Sequence, residues 1–207
     1  MSDYEDDDRE GLDELDDDAV IDDDDLHDDI IIDDYDDPDD DEDEDDDYED
    51  ATPEEIDFVI ALYREEGEPV AVALAKPLAN DLDDLIDQMR RLPGEAGTLA
   101  FVSISSEFFV AVRVRGSNVQ VLLNDSVAAN DWPIARDVTD FLGLEVPEDD
   151  DESDVVGDLD ILADQGLSEL DMEAIASDYD EDSDELVRQI VKHLGYERPF
   201  EAALADE

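Results

Sequence analysis

Acidic side chains fill 32 of the first 50 positions, and the one basic residue among them is Arg9. A segment so charged cannot bury enough apolar surface to offset the entropy of ordering. Aspartate is also a poor former of helices and strands alike. The apolar residues come as isolated islands: Leu12 with Leu15, Val20 with Ile21, and Ile30-Ile31-Ile32. Residues 1–53 are therefore expected to form a disordered acidic tail. The composition changes near Ala51, and the rest of the chain holds 39 acidic and 10 basic residues. So uneven a distribution argues against general adaptation to high salt.

The formal net charge of -60 argues against direct binding to nucleic acid, which requires clustered Lys and Arg. It favours basic partners instead. There is no cysteine, so disulfides, thiolate nucleophiles and cysteine-ligated zinc or iron–sulfur clusters are excluded. The start, Met1-Ser2-Asp3-Tyr4, has neither the basic segment nor the apolar stretch of a signal peptide. No apolar run approaches the ~20 residues of a membrane helix. A cytoplasmic location is the expectation.

Beyond the tail, the spacing predicts an α+β domain over 54–146, an acidic linker over 147–156 and a helical C-terminal segment over 157–207. Residues 56–63 and 70–75 read as a hairpin around Glu65-Glu66-Gly67-Glu68-Pro69. Thr52-Pro53-Glu54-Glu55 offers a rival helix start, with a capping box and an early proline. Leu82, Leu85, Ile86, Met89 and Leu92 recur at helical spacing over 80–92, behind Asn80 or Asp81 as cap and ahead of Pro93-Gly94. Residues 98–105, 108–115 and 119–124 alternate as an antiparallel meander, with Phe108, Val110, Val112 and Val114 on one face. A second helix is expected over 125–143, with Pro133 setting an early turn or kink. Three helical segments follow, the second capped by Ser168 and the third by Ser183 and closed by Gly195. The expected architecture is a five-stranded antiparallel sheet with helices on one face, in the manner of profilin-like or roadblock-like sheets, followed by the helical segment.

Chemistry-bearing patterns are sparse. Asp178-Tyr179-Asp180-Glu181-Asp182-Ser183-Asp184 places Asp at positions one, three, five and seven of a calcium loop. It has Ser183 where the sharp turn wants glycine, and Gln189 where a bidentate carboxylate is needed. An acidic interhelical loop accounts for it. His27 falls in the tail. His193 falls near a helix C-terminus, where it suits the helix dipole. No Gly-x-Ser-x-Gly elbow, Walker pattern or Gly-x-Gly-x-x-Gly occurs. Arg113 and Arg115 share one strand face and Arg90-Arg91 ends a helix, either as charge complement or as a dock for acidic groups, the chain's own tail among them. Trp132 is a core residue or an interface anchor. No catalytic, cofactor or metal residue is assigned.

Several segments in order resemble a known family. They are Ile60-Ala61-Leu62-Tyr63-Arg64-Glu65-Glu66-Gly67, the 82–92 helix, Phe108-Phe109-Val110-Ala111-Val112-Arg113-Val114, and Leu122-Leu123-Asn124-Asp125-Ser126-Val127-Ala128-Ala129. Gly157-Asp158-Leu159-Asp160-Ile161-Leu162-Ala163-Asp164 and His193-Leu194-Gly195-Tyr196 complete the set. From Phe58 to about Leu204 the chain is similar to the tRNA adenosine deaminase-associated proteins of actinobacteria. The Asp-rich tail lies outside that common core. The resemblance implies a gene neighbour of the wobble-adenosine tRNA deaminase and carries no catalytic residues with it; joined to the acidic surface, it makes a non-catalytic partner of that enzyme, or of another basic protein, the expectation. A zinc deaminase needs Cys ligands and a catalytic Glu, so this cysteine-free chain is not the deaminase. The alternatives are a general acidic module for basic proteins and an enzyme with an unrecognised site.

Overall fold

The computed structural model describes residues 49–94, 97–148 and 152–205. The expected tail therefore lies outside the described residues up to position 48. Six strands pair antiparallel in the order β2-β1-β3-β4-β5-β6: β1 Ile56–Glu65, β2 Glu68–Ala73, β3 Thr98–Ile104, β4 Phe108–Arg115, β5 Asn118–Leu123 and β6 Val156–Gly157. Among the described residues five α-helices accompany them: α1 Leu82–Arg90, α2 Pro133–Leu142, α3 Glu169–Ala176, α4 Ser183–Leu194 and α5 Glu197–Ala205.

The rival helix start does form its cap. The Thr52 backbone N–H and Oγ1 both donate to Glu55 Oε2, at 2.8 and 2.7 Å. It lasts a single turn, because the β-branched and aromatic run from Ile56 fits a pleated, half-buried surface better than a helix. The β1–β2 hairpin then closes through Glu66 and Gly67, both at positive φ (53° and 86°), which matches the twist of the flanking strands. Asp81 caps α1 by accepting from the Asp84 N–H, and Leu82, Leu85, Ile86 and Met89 face inward.

Successive residues of β3 and β4 enter different cores. Phe108, Val110, Val112 and Val114 join Val102, Leu85, Met89, Ile134 and Val138 on the face covered by α1 and α2. Phe109 and Ala111 join Phe101, Leu186, Ile190 and Phe200 on the opposite face, covered by α4 and α5. Phe200 meets Phe58 edge to face, with ring centroids 5.4 Å apart. Arg188 ties α4 to α5 through Glu201 at 3.3 Å, while also pairing with Asp184 and Glu185 on its own helix.

Three expectations are corrected here. Helices cover both faces of the sheet, not one: β3 is buried along its whole length and β4 to its penultimate residue, so each pleat face needs a cover. Among the described residues the sheet has six strands, not five. The sixth is contributed by Val156 and Gly157, which pair with Leu123 and Leu122. Two residues carry no readable period, and only glycine suits position 157. Its φ is +107°, and an added Cβ would come within 2.2 Å of the Val121 carbonyl oxygen. The helix expected over 125–143 is two elements. A short 3-10 turn, Ser126–Asn130, is capped by Asp125, and α2 starts afresh at Pro133. Proline holds the preceding Trp132 extended (φ -121°, ψ 125°), which separates the two.

Candidate functional site

Opposite ends of the β3–β4 pair carry opposite charge. At the end where β3 turns into β4, a cleft of about 450 Å³ is lined by Glu107, Asp125, Asp131, Asp178, Asp180, Glu181 and Asp182, with the aromatic rings of Phe108, Trp132 and Tyr179. Its walls are held by a chain of hydrogen bonds. The Asp57 carboxylate accepts from Ser103 Oγ at 2.8 Å and from the Ser106 N–H at 2.7 Å. Ser103 and Ser183 share a buried hydroxyl contact of 2.8 Å, and the Ser183 N–H donates to the Ser106 carbonyl at 3.1 Å. Ser105 and Ser106 both stand at positive φ (54° and 57°), a turn this network fixes. The loop from Asp178 to Asp182 is thereby anchored against the β3–β4 turn.

Ser183 was the expected N-cap of α4. It is instead a fully buried first-turn residue, and Asp182 occupies the cap position. With position six of the calcium pattern committed to this contact, the acidic side chains line a cleft wall. Among the described residues, no group of three or more His, Asp or Glu side chains is arranged to hold a metal ion. Trp132 lies half-buried with its ring 6.0 Å from that of Phe108. Tyr179 is 47% exposed. Partial burial, with the Asp125 and Asp154 carboxylates adding, pushes the Tyr179 phenol above its ordinary range.

At the other end, a cavity of about 280 Å³ is lined by Arg64, Arg113, Arg115, Asp164, Tyr196 and their neighbours. Arg113 is 5% exposed. Its guanidinium grips Asp164 with two nitrogens and donates to the Ile161 carbonyl at 2.6 Å. Arg115 reaches Asp164 and Gln120, both at 3.2 Å. Arg64 lies over the Tyr196 ring, 5.4 Å from its centroid. Hydrogen bonding from Arg113 holds the Asp164 carboxyl below the usual aspartate range.

The other singled-out residues have local roles. His193 Nε2 contacts the Gly166 carbonyl at 2.9 Å and joins α4 to the turn that precedes α3. Arg90 pairs with Asp87, and Arg91 with Gln88. His27 lies outside the described residues. Sequence reasoning placed Arg113 and Arg115 on one face, and the structure agrees. It did not bring Arg64 and Tyr196 to them. Strand order carries the signal for Arg64, since Leu62 pairs with Leu99 and Leu99 with Arg113, whereas Tyr196 follows α4 and is in no strand.

Residues 57–197 match the family described as Rv3753c-like tRNA adenosine deaminase-associated protein. The chain belongs to this family. It is 31% identical over 150 residues to Protein Rv3753c of Mycobacterium tuberculosis, an alignment covering 71% of this chain and 87% of that relative. No solved structure matches. Every residue lining the acidic cleft and the arginine cavity falls within the span that matches the family. Among the described residues, no helix is long and apolar enough to cross a membrane.

Proposed function

We propose that this protein is a non-catalytic accessory of a tRNA adenosine deaminase, docking on it through the acidic cleft and modulating its access to tRNA. The family description, which names an association with that enzyme, carries the reading. The cleft supplies a physical means. Its carboxylates attract the Lys and Arg of a protein built to hold tRNA, and Trp132 and Tyr179 offer faces on which a cationic side chain stacks. The 32 acidic residues among the first 50 add a polyanion able to compete with tRNA for a basic groove.

The test is co-purification with the deaminase of the same genome at low and moderate salt. It uses the full chain, a chain without residues 1–50, and an Asp125→Asn, Asp131→Asn, Asp178→Asn variant. The expected result is a stoichiometric complex that weakens with salt, because screening acts over about 8 Å at physiological ionic strength. The triple variant is expected to weaken it further. A complex indifferent to that variant removes the cleft from the mechanism. Recovery of many basic proteins with equal avidity favours a general acidic module instead.

A further inference from the structure

The whole chain has 11 Lys and Arg residues against 71 Asp and Glu, yet Arg64, Arg113 and Arg115 converge on one cavity. Among the described residues Asp164 is the one acidic residue of its lining, against three arginines, so the described lining carries an excess of two positive charges. Such a concentration runs against the composition of the protein, and the arginines are not loose surface groups. Arg113 is clamped between Asp164 and the Ile161 carbonyl, and Arg115 between Asp164 and Gln120. Arg64 is steadied by the Tyr196 ring and by a 3.0 Å bond to the Gly67 carbonyl. A guanidinium has five N–H donors, so each arginine keeps donors beyond those bonds. Part of the wall is apolar and buried, made by Leu62, Leu99 and the Tyr196 ring. Gly97 brings its backbone against Arg115, where an added Cβ would lie 2.4 Å from Arg115 Cγ.

We infer that this cavity is a binding site for a small phosphate monoester, held by the free N–H groups of Arg64, Arg113 and Arg115. Three features select that ligand. Guanidinium forks match phosphate oxygens in pairs, and a partly dry wall strengthens those bonds. The excess of two positive charges in the described lining complements a phosphate monoester, which carries about -1.5 to -2 near neutral pH. A volume of about 280 Å³ lies just below the usual range for drug-sized ligands, so it admits a phosphate with a short organic stem. A polyanion such as RNA is repelled by the net charge of -60, whereas a small dianion reaches the cavity with far less cost. This site does not depend on the docking reading. It uses the opposite charge at the opposite end of β3 and β4.

The experiment is calorimetric titration of the full chain with inorganic phosphate, ethyl phosphate and acetate at matched ionic strength. It is repeated on Arg64→Gln and Arg115→Gln, both exposed positions whose folding is checked by thermal unfolding. The expected result is saturable binding of both phosphates with Kd near or below about 1 mM. Each substitution is expected to weaken it by about tenfold or more, as for loss of a charge-assisted bond. Acetate is expected to bind far more weakly. Absence of saturable phosphate binding overturns the inference. So does binding that both variants retain, or acetate binding equal to that of phosphate.

Discussion

Phe200 tests whether the C-terminal helices belong to the same cooperative unit as the sheet. Its ring is 1% exposed and meets Phe58 of β1 edge to face at 5.4 Å. Truncating a buried Phe to Ala costs about 3–5 kcal/mol, including the cavity left behind. Position 200 lies in the last helix, where the chain can partly collapse into the void, so we take the lower end, about 3 kcal/mol. With a urea dependence of roughly 2 kcal/mol/M for a domain of this size, the unfolding midpoint of Phe200→Ala falls by about 1.5 M. Two probes decide the matter. Trp132, the single tryptophan, packs on Phe108 in the core that α5 does not touch. Far-UV circular dichroism follows the helices. Neighbouring residues such as Phe101 and Val102 enter opposite cores, so a loss on one face loosens both. Both probes are therefore expected to shift together. If ellipticity moves to lower urea while the Trp132 transition stays in place, the C-terminal layer unfolds by itself and the reasoning is refuted.

Asp137→Asn is expected to stabilise the protein at pH 7 by up to about 1 kcal/mol, after allowance for solvent screening. Burial pushes this carboxyl above its ordinary range, and Asp81, Asp140 and Asp83 add to the effect. Its charged form therefore costs stability at neutral pH, while the amide oxygen can still accept the 3.0 Å bond from the Leu82 N–H. The gain should vanish below about pH 4, where the wild-type group is already protonated, and thermal melts at both pH values check it. Asp164 has the opposite sign. Arg113 lowers its folded-state pKa, so its contribution is complete above the unfolded value of about 3.9 and is lost as pH falls through the folded one. Asp164→Asn should accordingly lower stability at neutral pH and converge with wild type in strong acid, which urea titrations across pH would show. Gly157→Ala combines a disfavoured φ with a backbone clash and should cost about 2 kcal/mol or more. At about 2–4 °C per kcal/mol, that appears as a drop of about 5 °C in Tm.

Much of this fold was legible because its signals are local. The alternation of Phe108, Val110, Val112 and Val114 gave a strand and its inner face, and Asp81 and Ser168 stand where the caps were expected. What escaped was non-local. Phe109 and Ala111, between those valines, already demanded a second cover, but the helices that provide it are some 80 residues further along the chain. Val156 and Gly157 form a strand only because β5 offers them an edge. Ser183 has the composition of a cap, yet Ser103 and Ser106 draw it into the interior. The arginine cavity was half legible: one strand carries Arg113 and Arg115, while Arg64, Asp164 and Tyr196 arrive from other elements.

A sheet enclosed on both sides raises a question of alignment that hydrophobicity does not answer. Where both faces of β3 and β4 are apolar, sliding one strand by a residue exchanges one oily surface for another, and the usual penalty for misalignment is small. A few polar side chains buried on these strands, or beside them at the end of β5, then act as registration pins. Ser103 finds a hydroxyl partner only opposite Ser183, and Asn124 Oδ1 accepts from the Phe109 N–H at 2.6 Å. Arg113 shifted onto the other face would be a charge without its carboxylate. Conservative-looking changes at these three positions should therefore produce heterogeneous pairing rather than simple weakening, a signature that doubled amide resonances along β4 would reveal.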